Sequence, residues 1–317
     1  MAYSLEIPGR TAAREAALGT VLVYGAAGVQ GAAITRAALA AGGRIRTLLR
    51  NGTANPFGAA VDVVRGDMAY PERLRLANLG VDKVVLTLPL HASSAIQVQY
   101  GRNAIDAAKA AGVKLLVFNT SCPVPPSLTS AANIEARRTV EAYLAASGLA
   151  SIVLRPTLYL DNIAASWSAA VIMAHGLFMQ PLPADFLASR LSCSDLAAYV
   201  AQALQRPHLA GQAFDLGGAE VLSCSDIASR LSAIVGRKVM PHQLPLPDFA
   251  ASLNAILGSG VGDGIAAYYA WCQEQPSSPL VPDMTAALKA FPLRPTTFNA
   301  WAQAQNWNAL AATHEVA

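Results

Sequence analysis

The residues that most plainly carry chemistry are three glycines set three apart, Gly25-Ala-Ala-Gly28-Val-Gln-Gly31. They follow an apolar run, Thr20–Tyr24, and open a segment of helical length, Val29–Ala41. A strand before and a helix after is the context in which this spacing binds the pyrophosphate of a dinucleotide. The first glycine permits a tight turn, the second lets backbone approach the phosphates, and the third lets the helix pack close to the sheet. The helix start adds unpaired amide hydrogens and a partial positive charge. At the end of the next apolar run, an acidic residue would hold a ribose 2′-hydroxyl. This chain has Leu48-Leu49-Arg50-Asn51 there, with no acid nearby. A guanidinium can grip a 2′-phosphate in bidentate fashion. The expected cofactor is therefore NADP(H) rather than NAD(H).

These residues need a scaffold, and the periodicity supplies one. Strands are expected at Thr20–Tyr24, Arg44–Leu49, Val61–Arg65, Lys83–Thr87, Lys114–Phe118 and Ser151–Leu154. Between them Val29–Ala41, Pro71–Leu79, Ser94–Ala111 and Ile134–Ala146 have helical length and propensity. Runs such as Lys83-Val-Val-Leu-Thr87 are apolar at nearly every position, as in strands buried on both faces. Strands alternating with helices imply right-handed crossovers and a parallel sheet. The expected fold class is α/β, a doubly wound parallel Rossmann sheet with a smaller, mostly helical C-terminal substrate portion. Ligands sit beyond the carboxyl ends of such strands. That makes Gly66-Asp67-Met68, Thr87-Leu88-Pro89 and Asn119-Thr120-Ser121 pocket candidates. Asp67 can accept a hydrogen bond from an adenine amino group, or it can simply form a turn.

After Pro156 prolines become frequent and strand-like runs rare, although Ala213–Leu216 reads as a strand returning to the sheet edge. The expected organisation is an N-terminal extension, 1–18, and a cofactor-binding domain, 19–160, rejoined by 190–218. Residues 161–189 and 219–317 form the substrate-binding portion. A charge-free stretch, Asn162–Ala184, is broken by Ser, His, Gly, Gln and two prolines, so it reads as buried or pocket-lining rather than membrane-spanning. Leu191-Ser-Cys-Ser-Asp195-Leu-Ala and Leu222-Ser-Cys-Ser-Asp226-Ile-Ala are near copies, each with the Ser-x-x-Asp of a capping box at a helix start.

The bulk numbers exclude several classes. A chain that is 53% hydrophobic and 14% charged can bury a large core and is not disordered. The net charge of +3 comes from scattered residues, which speaks against nucleic-acid binding. Cys122, Cys193, Cys224 and Cys272 lie far apart, so no zinc or thioredoxin-like pair is expected and no metal site. Met1–Thr20 carries charges and no apolar core of a signal peptide, so the expected location is cytoplasmic.

With these segments in hand, the chain resembles the NmrA-like family, an atypical branch of the short-chain dehydrogenase/reductase superfamily. The resemblance spans roughly Thr20 to Trp307 and rests on the glycine run, Leu49-Arg50, Gly66-Asp67 and Val140-Glu141-Ala-Tyr143-Leu144. It continues through Leu154-Arg155-Pro156, Tyr159, Asn162, Phe214-Asp-Leu-Gly-Gly218 and Arg294-Pro-Thr-Thr-Phe298. It implies NADP(H) as ligand, and either a reductase of carbonyl, quinone or conjugated small molecules or a non-catalytic sensor of NADPH/NADP. The expected cofactor contacts are Gly25, Ala27, Gly28, Val29, Gln30, Gly31, Arg50, Asp67, Met68, Thr87, Leu88, Pro89, Asn119, Thr120, Arg137 and Pro156.

Similar proteins place a lysine where this chain has Arg137, and the superfamily's tyrosine would fall at Asn133. Asn133 has no labile proton, and an arginine stays protonated at any working pH. Arg137 can still hold the nicotinamide ribose or stabilise an oxyanion. Hydride addition to a quinone or enone yields a delocalised, weakly basic oxyanion that water can protonate, so such acceptors ask least of the protein. The expectation is reduction of a small apolar or aromatic substrate of this kind, with Arg137, Ser121, Tyr159 and Asn133 as catalytic candidates. His91 and His175 are further candidate acids, and Tyr268, Tyr269 and Trp271 are wall or core. A lyase or isomerase using bound cofactor is a further alternative, and a homodimer stays open.

Overall fold

Val21, Leu22 and Val23 are wholly shielded from solvent, as are Val84, Leu86, Leu116 and Phe118. They belong to strands covered on both faces, which is why nearly every position is apolar. The computed structural model describes residues 18–90 and 93–312; most of the N-terminal extension and His91 lie outside them. The chain runs β1 (Thr20–Val23), α1 (Val29–Ala40), β2 (Arg44–Leu49), β3 (Val61–Arg65), α2 (Pro71–Asn78) and β4 (Lys83–Thr87). It continues with α3 (Ser94–Ala110), β5 (Leu115–Asn119), α4 (Ala132–Ala146) and β6 (Ser151–Pro156). These six strands and four helices match the expected segments to within two residues at each end.

Beyond β6 come β7 (Leu158–Tyr159), α5 (Ser166–His175), β8 (Leu177–Gln180), β9 (Ala188–Leu191), α6 (Cys193–Leu204) and β10 (Ala213–Leu216). Then follow β11 (Val221–Leu222), α7 (Cys224–Val235), β12 (Met240–Gln243), α8 (Leu246–Leu257) and α9 (Val261–Gln273). Three short helices, α10 (Thr285–Ala290), α11 (Phe298–Gln303) and α12 (Trp307–Ala312), end the described chain.

The main sheet is parallel throughout, in the order β10-β6-β5-β4-β1-β2-β3. Its order reverses between β1 and β4, the switch point at which open α/β sheets bind ligands. The C-terminal portion carries more strand than expected: β11-β9-β7 and β12-β8 form two small sheets. Their strands are two to four residues long, too short to show a period, and β12 contains a proline.

Several sequence motifs turn out to be fasteners. Glu141 of α4 accepts three hydrogen bonds from Arg155 of β6, the shortest 2.6 Å, and Asp215 of β10 stands 3.8 Å from the same guanidinium. Three separate motif fragments thus meet in one ion cluster that clips α4 and β10 to β6. The two Ser-Cys-Ser-Asp copies do start α6 and α7, with Ser192 and Ser223 as caps. Only the second closes the full box, with Asp226 accepting from the Ser223 amide at 2.9 Å. Asp195 instead accepts from the amide and hydroxyl of Thr296 at 3.0 and 2.9 Å, tying α6 to the approach to α11.

Candidate active site

A cleft of about 1170 Å³ runs along the carboxyl ends of the main strands and under the C-terminal portion. A site for one drug-sized ligand spans roughly 300–1,000 Å³, and this cleft is larger than that. Its N-terminal half is built on the β1–α1 turn. Gly25 has a φ of +76°, the left-handed region that glycine enters without strain. A Cβ on Gly31 would lie 2.1 Å from the Gly25 carbonyl oxygen and 2.9 Å from Ala26 Cα, so only glycine lets α1 begin so near the turn. Helix α1 begins at Val29 with Gly28 as its cap and no side chain capping it, so its first-turn amides are left unpaired at residues that line the cleft. The turn therefore suits a pyrophosphate. Arg50, exposed just beyond β2, lines the same half, with Asp67 and Met68 after β3. Asp67 accepts from the Ala69 amide at 2.9 Å, so it forms a turn as well as lining the cleft.

The structure brings Gly25, Ala27, Gly28, Val29, Gln30, Gly31, Arg50, Asp67, Met68, Thr87, Leu88, Pro89, Ser121, Asn133, Arg137 and Tyr159 to this one cleft. Asn119, Thr120 and Pro156, also expected to contact the cofactor, are not among the residues that line this cleft. Asn119 is wholly buried, donates to Gln30 Oε1 at 2.8 Å and Thr87 Oγ1 at 3.3 Å, and accepts from the Ser121 amide at 3.0 Å. One amide thus aligns the ends of β4 and β5 with the start of α1. Thr120 spends its hydroxyl on the carbonyls of Cys122 and Leu154, and Pro156 lies in β6 beside Leu216. Ser121 is the one non-glycine with positive φ among the described residues, at 63°, a conformation that costs of order 1–3 kcal/mol.

Arg137 on α4 is 1% exposed. Its Nε donates to the Thr120 carbonyl at 3.0 Å, and Nη1 donates to the Asn133 carbonyl at 2.8 Å and to Gln97 Oε1. All three acceptors are neutral, so the guanidinium charge reaches the cleft without a bonded carboxylate. Tyr159 lines the cleft, but its hydroxyl is sealed from solvent and bonds no protein atom; burial pushes its pKa well above the ordinary tyrosine value. The side-chain oxygen of Asn133 is likewise buried and unpartnered. Cys122 lines the same cleft, and burial pushes its thiol up, against the pull of Arg137. His175 is exposed at the end of α5 and outside the cleft lining, so it is not placed to act as an acid.

The C-terminal half of the cleft is uncharged. Among the described residues its lining from Thr157 onward contains no Asp, Glu, Lys, Arg or His, and Arg50, Asp67 and Arg137 are the only such residues that line the cleft. Trp167 and Val171 of α5, Met179 of β8, Phe249 and Leu253 of α8, and Tyr268 and Tyr269 of α9 form this half. Part of the charge-free Asn162–Ala184 stretch therefore does line the pocket. Residues of α8 were not foreseen as wall: an apolar helical period looks the same whether it faces a core or a ligand.

The sequence model of the NmrA-like family matches residues 18–302. This chain belongs to the NmrA-like family. Among its relatives, an NAD(P)H azoreductase of Xenophilus azovorans is 30% identical over 251 residues, 78% of this chain and 83% of the relative. Quinone oxidoreductase 2 of Escherichia coli (strain K12) is 29% identical over 206 residues, 65% of this chain and 68% of the relative. Among solved structures, the NADPH complex of an NADPH-dependent quinone oxidoreductase from Escherichia coli has a TM-score of 0.71 at 22% identity, covering 89% of this chain and 98% of the other. At that identity the likeness is one of fold. Among the described residues no helix is long and apolar enough to cross a membrane.

Proposed function

We propose that this NmrA-like protein is an NADPH-dependent reductase of an uncharged quinone or conjugated carbonyl compound. One observation carries the reading. A glycine turn suited to a pyrophosphate and an uncharged aromatic wall belong to a single cleft, with the buried cation Arg137 among the residues that line it. The kinship with an azoreductase and a quinone oxidoreductase supports the same class. The first-turn amides of α1 hold the pyrophosphate, Arg50 the 2′-phosphate, and Asn119 keeps Gln30 and Thr87 aligned beneath it. Bound NADPH supplies a hydride, two electrons and one proton, to the acceptor ring. Arg137 stabilises the negative charge left on the acceptor oxygen, and water supplies the second proton. Neither Tyr159 nor Cys122 suits that task, because burial holds both in their neutral, weakly acidic forms.

The test is NADPH consumption with a panel of quinones, enones and simple ketones. Turnover of the first two groups is expected, and activity confined to simple ketones overturns the preference. Tight NADPH binding without oxidation by any acceptor makes the protein a cofactor sensor instead.

A further inference from the structure

Helix α8, Leu-Pro-Asp-Phe-Ala-Ala-Ser-Leu-Asn-Ala-Ile-Leu, is strongly apolar, yet only Ala250 of its twelve residues is buried. Its large side chains are not scattered. Phe249, Leu253, Ile256 and Leu257 recur at i, i+4, i+7 and i+8, the spacing of one helical face, and all four line the cleft. The helix leans on α9, where Asn254 accepts from the Gly262 amide at 2.7 Å and donates to Asp263 at 2.8 Å. Phe249 meets the Tyr269 ring edge-on, at 5.5 Å between centroids. The stripe therefore runs outward from the aromatic part of the wall, from half-buried Phe249 to Ile256, which is 47% exposed. Four further exposed apolar side chains line the same cleft: Trp167 at 37%, Leu90 at 39%, Ile96 at 41% and Val29 at 71%. Exposed large apolar side chains along one cleft mark a surface that meets an apolar ligand.

Resting on the reductase reading above, we propose that the acceptor carries a long alkyl or isoprenoid tail, and that this tail lies along the α8 stripe from Phe249 toward Ile256. The headgroup occupies the aromatic part by Tyr268 and Tyr269. Among the described residues, the wall from Thr157 onward offers the tail no charge to desolvate.

The experiment is steady-state kinetics with one quinone headgroup carrying methyl, propyl, hexyl or decyl substituents, below their aggregation limits, with NADPH saturating. Alkyl homologues share nearly one reduction potential, so the difference reports binding. Each methylene that becomes buried raises kcat/KM by up to about fourfold. The hexyl homologue is expected to exceed the methyl one by at least about tenfold, mostly through KM, and the decyl homologue adds little once the tail emerges. In Ile256→Glu that hexyl-to-methyl ratio falls to within about twofold, because the tail would then desolvate a carboxylate. Turnover of all homologues with equal kcat/KM overturns the tail proposal and leaves the reductase reading standing. No turnover of any homologue, with NADPH binding intact, overturns both.

Discussion

At the scale of single residues, the role proposed for Arg50 is the choice between cofactors. Arg50→Asp puts a carboxylate where a 2′-phosphate would lie, so NADPH affinity should fall by at least about tenfold while NADH affinity changes little. Fluorescence titration with both nucleotides checks this, and equal losses would remove Arg50 from the site. Two catalytic candidates separate just as cleanly. Tyr159→Phe deletes a hydroxyl that is sealed and unpartnered, so kcat should stay within about twofold of the parent, and stability should hold or rise. Arg137→Met removes the buried cation and should lower kcat by about a hundredfold. Rescue by exogenous guanidinium would show that the charge, not only the packing, was lost. These roles were unevenly legible in the sequence. That Gly25, Gly28, Gly31 and Arg50 line one cleft could be read because backbone sterics and charge are properties of residue type. Tyr159 could not, because whether a hydroxyl faces a cleft depends on packing from elements far along the chain.

At the scale of elements, the foot of the sheet is held by one carboxylate. Asp82 accepts from the Thr20 amide at 2.9 Å and from Lys114 at 2.8 Å, joining the starts of β1 and β5 beside β4. The Lys114 hydrogen bond and the Thr20 amide hold its pKa below the ordinary carboxylate value. A group lowered in the folded state stabilises it fully above the unfolded value, about 3.9, and that stability is lost as pH falls through the folded value. Denaturant unfolding across the acid range should therefore show a shallower decline for Asp82→Asn than for the parent. The strands and helices of residues 20–156 were legible because strands buried on both faces and Ala-rich helices have opposite signatures. The five short strands beyond β6 were not, since two to four residues carry no period. The near-copies at Asp195 and Asp226 show the same limit from another side: identical local sequence, one aspartate closing its own cap and the other holding Thr296 101 residues away.

At the scale of the whole molecule, both halves of the chain are needed to finish one sheet. Strand β10, Ala213–Leu216, forms the outer edge beside β6, and Arg155 links it through Asp215 to α4. During synthesis, then, β6 leaves the ribosome with a bare, mostly apolar edge, and nothing can cover it until some sixty further residues have been made. An uncovered edge of that kind invites pairing with other chains. Nascent chains stalled before residue 213 should stay protease-sensitive and bound to chaperones, whereas those stalled well past residue 216 should release them. The same dependence makes β10 the piece whose removal a cell would notice first, as misassembly rather than as lost catalysis.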